Sequence, residues 1–117
     1  MPYVDGFVLP IPAGNVDAYK KMARKAGKIW RELGALEYRE CVGDELQIDG
    51  TLSFTKGIRT KPGETVVFAW IVYKSKADRN RIMKKIMSDP RMQPDGSDMP
   101  FDMKRMMYGG FKVLVDA

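Results

Sequence analysis

The chain opens on an alternation of two residue classes. Between Tyr3 and Pro10, Val4, Gly6 and Val8 fall on one side while Tyr3, Asp5, Phe7 and Leu9 fall on the other, the period of a strand. Asp5 shares its side with two aromatic rings, an odd setting for a carboxylate. Pro10 and Pro12 lack the donor that a ladder needs and are expected to end this strand. From Asn15 the period changes. Val16, Tyr19, Met22, Ala23, Ala26, Ile29, Trp30 and Leu33 form one stripe at helical spacing, with Asn15 the expected N-cap and Gly34 the left-handed stop.

Ala35 to Val42 alternates again, with Leu36, Tyr38, Glu40 and Val42 on one side and Ala35, Glu37, Arg39 and Cys41 on the other. From Gly43 to Gly63 the pattern weakens. Asp49-Gly50 marks a turn, Leu52 to Thr60 reads as an extended arm, and Pro62-Gly63 suits the centre of a type II turn. The pattern leaves open whether this arm is a strand, a lid or a contact with a second copy. Thr65 to Tyr73 is a strand apolar on both sides: Phe68, Trp70 and Val72 on one, Val67, Ala69, Ile71 and Tyr73 on the other. Ser75 caps a second helix with Asp78 in its first turn; Ile82, Met83, Ile86 and Met87 are its expected buried edge, and Asp89-Pro90 its end. Pro90 to Met103 is irregular, with a turn at Asp95-Gly96. Lys104 to Asp116 reads as the last strand, with Met107, Gly109, Phe111, Val113 and Val115 on one side. Its Gly109-Gly110 pair predicts a bulge or a close approach.

The order is therefore strand, helix, strand, strand, helix, strand. This is the α+β, ferredoxin-like βαββαβ order, an antiparallel sheet with both helices on one face. Right-handed crossovers leave the other face bare. A bare face carrying residues as large as Phe68 and Trp70 needs a partner.

Composition narrows the function without naming it. The 117 residues make one domain spanning residues 1–117. Hydrophobic residues are 44% and charged residues 30%, as in an ordinary soluble protein. No apolar run approaches the roughly 20 residues of a membrane span, and the first residues lack the pattern of a signal peptide. One cysteine forms no internal disulfide. A cytoplasmic protein is expected. The absence of histidine excludes Ser-His-Asp and Cys-His nucleophile systems, His-ligated zinc and proximal-His haem. Proton transfer would fall to carboxylates, Lys, Tyr, Cys41 or a bound cofactor.

The net charge is +5. Lys20, Lys21, Arg24, Lys25, Lys28 and Arg31 lie on the outer side of the first helix, and Arg79, Arg81, Lys84 and Lys85 on the second. Solvated basic faces of this kind are common. The third strand lacks the basic-Gly-aromatic-Gly start of RNA-recognition domains. Nucleic acid is therefore disfavoured as a partner.

Several residues stand out as candidate chemistry. Cys41, the only thiol, has Arg39 on its own side of the strand, a cation able to lower its pKa, although a small half-buried strand residue is the plainer reading. Asp5, Arg105 and Tyr108 are expected to meet if the ends of the first and last strands converge. Arg105 would anchor a carboxylate or enolate, and Asp5 or Tyr108 would exchange a proton; a structural Asp–Arg pair is the competing reading. Met99, Phe101, Met103, Met106 and Met107 would form an adaptable lid or core filler. Asp95, Asp98 and Asp102 fit no calcium loop. The candidate ligand-binding set is Asp5, Phe7, Cys41, Trp70, Phe101, Arg105 and Tyr108, with no catalytic residue, cofactor or metal assigned.

Several segments resemble a bacterial family of unknown function, the YbaA-like family. They are Tyr3-Val4-Asp5-Gly6-Phe7-Val8, Gly34-Ala35-Leu36 with Glu40-Cys41, and Thr65-Val66-Val67-Phe68-Ala69-Trp70-Ile71. Later come Ser88-Asp89-Pro90-Arg91-Met92, Met99-Pro100-Phe101-Asp102, Lys104-Arg105-Met106 and Tyr108-Gly109-Gly110-Phe111. The chain departs from the family at Val42, where a tryptophan is expected. It departs again at Gln47 to Leu52, in place of a Pro-Asp-Gly-Lys turn, and at Met103, in place of a glycine. The family is similar to the dimeric α+β barrels, so the resemblance implies a homodimer whose sheets pack face to face. A small apolar or carboxylated molecule is expected between sheet and helices or at the dimer seam. By analogy of fold alone, the resemblance also implies monooxygenase-, isomerase- or lyase-like chemistry without a cofactor. A non-catalytic dimeric binding or regulatory module is the alternative, with an RNA-binding monomer the less favoured third reading.

Overall fold

In the computed structural model, which describes residues 1–96 and 98–117, the backbone follows the ferredoxin-like order. Strand β1 is Tyr3–Pro12, helix α1 Val16–Glu32 and strand β2 Glu37–Val42. A helical turn α2, Phe54–Gly57, precedes strand β3, Glu64–Tyr73; helix α3 is Lys76–Ser88 and strand β4 is Met107–Lys112. The four strands form one antiparallel sheet in the order β2-β3-β1-β4. Both long helices lie on one face. No helix among the described residues is long and apolar enough to cross a membrane.

The alternation read in the sequence sets the two faces. Toward the helices point Leu9 and Ile11 of β1 and Val67, Ala69, Ile71 and Tyr73 of β3. They are packed by Tyr19, Ala23 and Ile29 of α1 and Ile82 and Ile86 of α3. Gly27 sits inside α1, where glycine is a poor helix former, because the Tyr38 ring of β2 lies against it; an ideal Cβ there would stand 2.8 Å from that ring.

The opposite face is read off the register as three rows across the sheet. They are Phe111–Val4–Val72–Glu37, Gly109–Gly6–Trp70–Arg39 and Met107–Val8–Phe68–Cys41. Both long helices lie on the other side of the sheet. Phe111, Met107 and Phe68 expose 60%, 57% and 44% of their surface. Phe111 turns its ring over Gly6 and Gly109, with Cε1 3.2 Å from where a Cβ on Gly6 would stand.

Local expectations fared unevenly. Ser75 caps α3 by accepting from the Asp78 N–H at 3.1 Å, and Gly63 takes the positive φ of the turn closed by the Glu64 N–H on the Lys61 carbonyl. Pro10 and Pro12 stay within β1. The ladder to β4 ends at Val8, so one side of the strand needs no donors there. Asn15 precedes α1 without capping it; its amide donates instead to the Pro100 carbonyl at 2.9 Å. Met87 is exposed rather than buried, since α3 buries its Ile82 and Ile86 edge only. The stretch expected as an extended arm contains α2, capped by Ser53. The last strand is shorter than expected: Met103–Arg105 is a 3-10 turn, and pairing with β1 stops at Lys112.

Candidate functional site

The odd carboxylate of β1 is the centre of the most densely connected polar cluster. Asp5 points toward the helices and is fully buried. A buried charge must be paired and hydrogen-bonded. The Tyr73 hydroxyl donates to Asp5 Oδ2 at 2.9 Å, and Arg79 Nε donates to Oδ1 at 3.1 Å and to Oδ2 at 3.3 Å. Tyr73 is held in turn by Trp30, whose Nε1 donates to the Tyr73 hydroxyl at 3.1 Å. Arg79 reaches outward as well: Nη2 donates to the Tyr108 hydroxyl at 3.2 Å and Nη1 to Asn80 Oδ1 at 2.9 Å. The guanidinium also lies 5.3 Å from the centre of the Tyr3 ring, within cation–π range.

The result is a relay of contacts from the core to the surface through Trp30, Tyr73, Asp5, Arg79 and Tyr108. Burial, then the charge of Asp5, holds the proton on Tyr73 well above the ordinary phenol range. Burial and the Asp5 charge also raise Tyr108, against the opposing pull of Arg79. Tyr108 stays a neutral phenol at pH 7, and its ring stacks on Phe7 at 4.7 Å. The outer end of the cluster presents a guanidinium edge, a phenol and an aromatic wall. Such a mouth is suited to a carboxylate or carbonyl oxygen on a small body.

Of the seven candidate ligand residues, the structure brings three together: Asp5, Phe7 and Tyr108. Arg105 is not with them. It forms a two-pronged pair with Glu64, Nη1 to Oε2 at 2.7 Å and Nη2 to Oε1 at 2.9 Å, and also donates to the Arg59 carbonyl. Arg79, read in the sequence as part of a solvated basic face, takes the role expected of Arg105. Its position one turn into α3 brings it back over the end of β1. Phe101 packs edge-on against Tyr19 at 5.6 Å in the helix-side core. Trp70 and Cys41 lie on the bare face, where Trp70 Nε1 donates to Glu37 Oε1 at 3.0 Å. Among the described residues, no group of three or more His, Cys, Asp and Glu is placed to hold a metal ion.

A second carboxylate sits between α1 and β2. Glu40 accepts from the Tyr19 hydroxyl at 2.6 Å and from the Tyr38 hydroxyl at 2.7 Å. Burial and the nearby Glu40 raise both phenols far above their usual range. This cluster ties the outer strand to the helix, beside a surface cleft that Tyr38 shares with Arg24, Lys28 and Arg31.

Residues 2–103 match the profile of a family described as a protein of unknown function (DUF1428). The chain belongs to this family. It is 46% identical over 116 residues to the uncharacterised protein YbaA of Escherichia coli K12, covering 99% of each chain, and equally so to that of Shigella flexneri. Two solved structures share the fold. One, from Jannaschia, is described as a dimeric ferredoxin-like protein of unknown function, with TM-score 0.55 and 13% identity over 95% of this chain and 99% of that one. The other, a dimeric ferredoxin-like protein from an uncultured marine organism, has TM-score 0.54 and 12% identity over the full length of both chains. At these identities the likeness speaks for the fold alone.

Proposed function

We propose that this member of the family is a homodimer in which two sheets pack bare face to bare face, and that each subunit binds a small carboxylated molecule. The observation that carries the dimer is the uncovered face itself, three continuous rows in which Phe111, Met107, Phe68 and Trp70 are the large side chains. A contiguous exposed apolar patch of this kind marks an interaction surface. A second copy presents the same aromatic and aliphatic rows, as a two-fold interface requires. The dimeric description of the two structural relatives supports the same reading. Light scattering on a sizing column, over a hundredfold range of protein concentration, tests it. A mass twice that of the chain is expected; a single-chain mass throughout would overturn the dimer.

The ligand reading rests on the Arg79–Tyr108 mouth. The buried Asp5 carboxylate fixes the guanidinium before any ligand arrives, which lowers the ordering cost of binding. Phe7 and the Tyr108 ring supply the apolar wall. Thermal-shift titration with benzoate as probe is the test. The wild type is expected to gain stability with rising benzoate, and Tyr108→Phe to lose most of that gain. Equal shifts in both proteins, or none in either, would remove the ligand role of this site.

A further inference from the structure

The segment joining β2 to β3 is held by hydrogen bonds within itself, around the buried Ser53, and leaves three of its large apolar side chains outside. Gln47 Nε2 donates to Thr55 Oγ1 at 3.1 Å, and that hydroxyl lies 3.0 Å from Ser53 Oγ. The buried Ser53 caps α2 through the Lys56 N–H at 3.2 Å. The Thr51 hydroxyl bonds the Ile48 carbonyl at 2.8 Å, and the Thr60 N–H bonds the Thr55 carbonyl at 3.0 Å. The end of the segment is pinned from outside: Arg105 donates to the carbonyl of Arg59, which holds a positive φ of 57°, while pairing with Glu64.

This internal order leaves three large side chains facing out. Ile48, Leu52 and Phe54 expose 59%, 75% and 49% of their surface. A loop that only had to bridge two strands would place polar residues there. The Phe54 ring lies 6.1 Å from Phe68, and Phe68 lies 5.6 Å from Trp70. The outward patch of the loop is therefore continuous with the bare face of the sheet.

We infer that Ile48, Leu52 and Phe54 form a clasp that closes on a second copy of this chain, extending the sheet-to-sheet contact around its rim. The inference rests on the face-to-face dimer proposed above and adds a second contact region to it. Area favours the second copy as the occupant. At roughly 4.8 Å between strands and 3.3 Å per residue, two strands of ten residues and two of six give a flat footprint of about 500 Å². A standard stable interface takes about 800 Å² of accessible surface from each partner, a size that a face of this footprint approaches once its side chains are counted. The clasp adds surface of the right chemistry at the edge of that face, and two-fold symmetry uses it twice. Its hydrogen bonds already hold it, so little conformational entropy is lost on contact.

The test is the dimer dissociation constant, by sedimentation equilibrium, of the wild type, Leu52→Asp and Ile48→Asp. Both side chains are more than half exposed in the subunit, so each variant is expected to keep the wild-type circular dichroism spectrum. The clasp predicts a dissociation constant raised at least about tenfold in each variant. Variants that dimerise within twofold of the wild type would overturn the clasp and leave the sheet-face dimer standing. A wild type that is monomeric throughout would overturn both, so the two failures are distinguishable.

Discussion

Tyr3 fills the space that a side chain on Gly110 would need: an ideal Cβ there would stand 2.8 Å from Cε2 of the Tyr3 ring. The sheet register does not slip at this point, because Asp5 still faces Gly110 and Tyr3 still faces Lys112. The glycine pair of the last strand thus marks a close approach and not a bulge. On the helix side Gly110 makes room for Tyr3, whose ring lies beside the Arg79 guanidinium. On the bare face Gly6 and Gly109 make room for Phe111.

Gly110→Ala tests that role. The Tyr3 ring is buried. The substitution is expected to cost roughly 1–3 kcal/mol, as overpacking does, read as a lower urea midpoint at unchanged slope. Gly14→Ala is the control, since nothing lies within 4 Å of an added methyl there; it is expected to leave the midpoint within error or raise it slightly.

Tyr73→Phe separates the buried half of the polar cluster from its exposed half. Losing the hydroxyl leaves Trp30 Nε1 without its acceptor and takes one donor from the fully buried Asp5. The expected cost is about 1–3 kcal/mol in urea unfolding. Tyr108→Phe removes a hydroxyl at the exposed mouth and is expected to cost under about 0.5 kcal/mol. Equal costs for the two would contradict the division between a structural interior and a ligand-facing rim.

The Glu64–Arg105 pair predicts a pH dependence of definite sign. Hydrogen bonds from Arg105, then from the Lys61 N–H, hold the Glu64 carboxyl at about 2, below its ordinary 4.5. The unfolded chain takes up that proton first. Stability from the pair is therefore complete above pH 4.5 and is lost as the pH falls from 4.5 toward about 2. Arg105→Gln is expected to flatten the stability profile across that window while leaving the profile above it parallel to the wild type. Acid unfolding curves of unchanged shape would count against the pair as the source.

The sheet, both long helices and the uncovered face were legible because each depends on periodicity, which needs no knowledge of distant residues. Asp5 stood out for a related reason: a carboxylate on an apolar side of a strand is conspicuous without a structure. Its partner was not legible. Arg79 and Arg105 look alike in sequence, and only the docking of α3 decides which one reaches back over β1. The helical turn α2 was not legible for a different cause. Four residues are too few to show a helical period, and Ser53 is one polar residue among several. Asn15 shows the limit of cap signals, since its amide found a better acceptor in Pro100, 85 positions away.

If a second copy seals the bare face, the single thiol reports on it directly. Cys41 lies on that face, opposite Phe68, and is exposed in the isolated subunit. The measurement is the rate of Cys41 modification by a small aromatic disulfide reagent, followed from dilute to concentrated protein. A sealed face is expected to give a rate that falls as concentration rises and recovers when the dimer is diluted apart. A fast rate that does not change with concentration, in protein shown to be dimeric, would contradict it, because the two copies would then meet through some other surface.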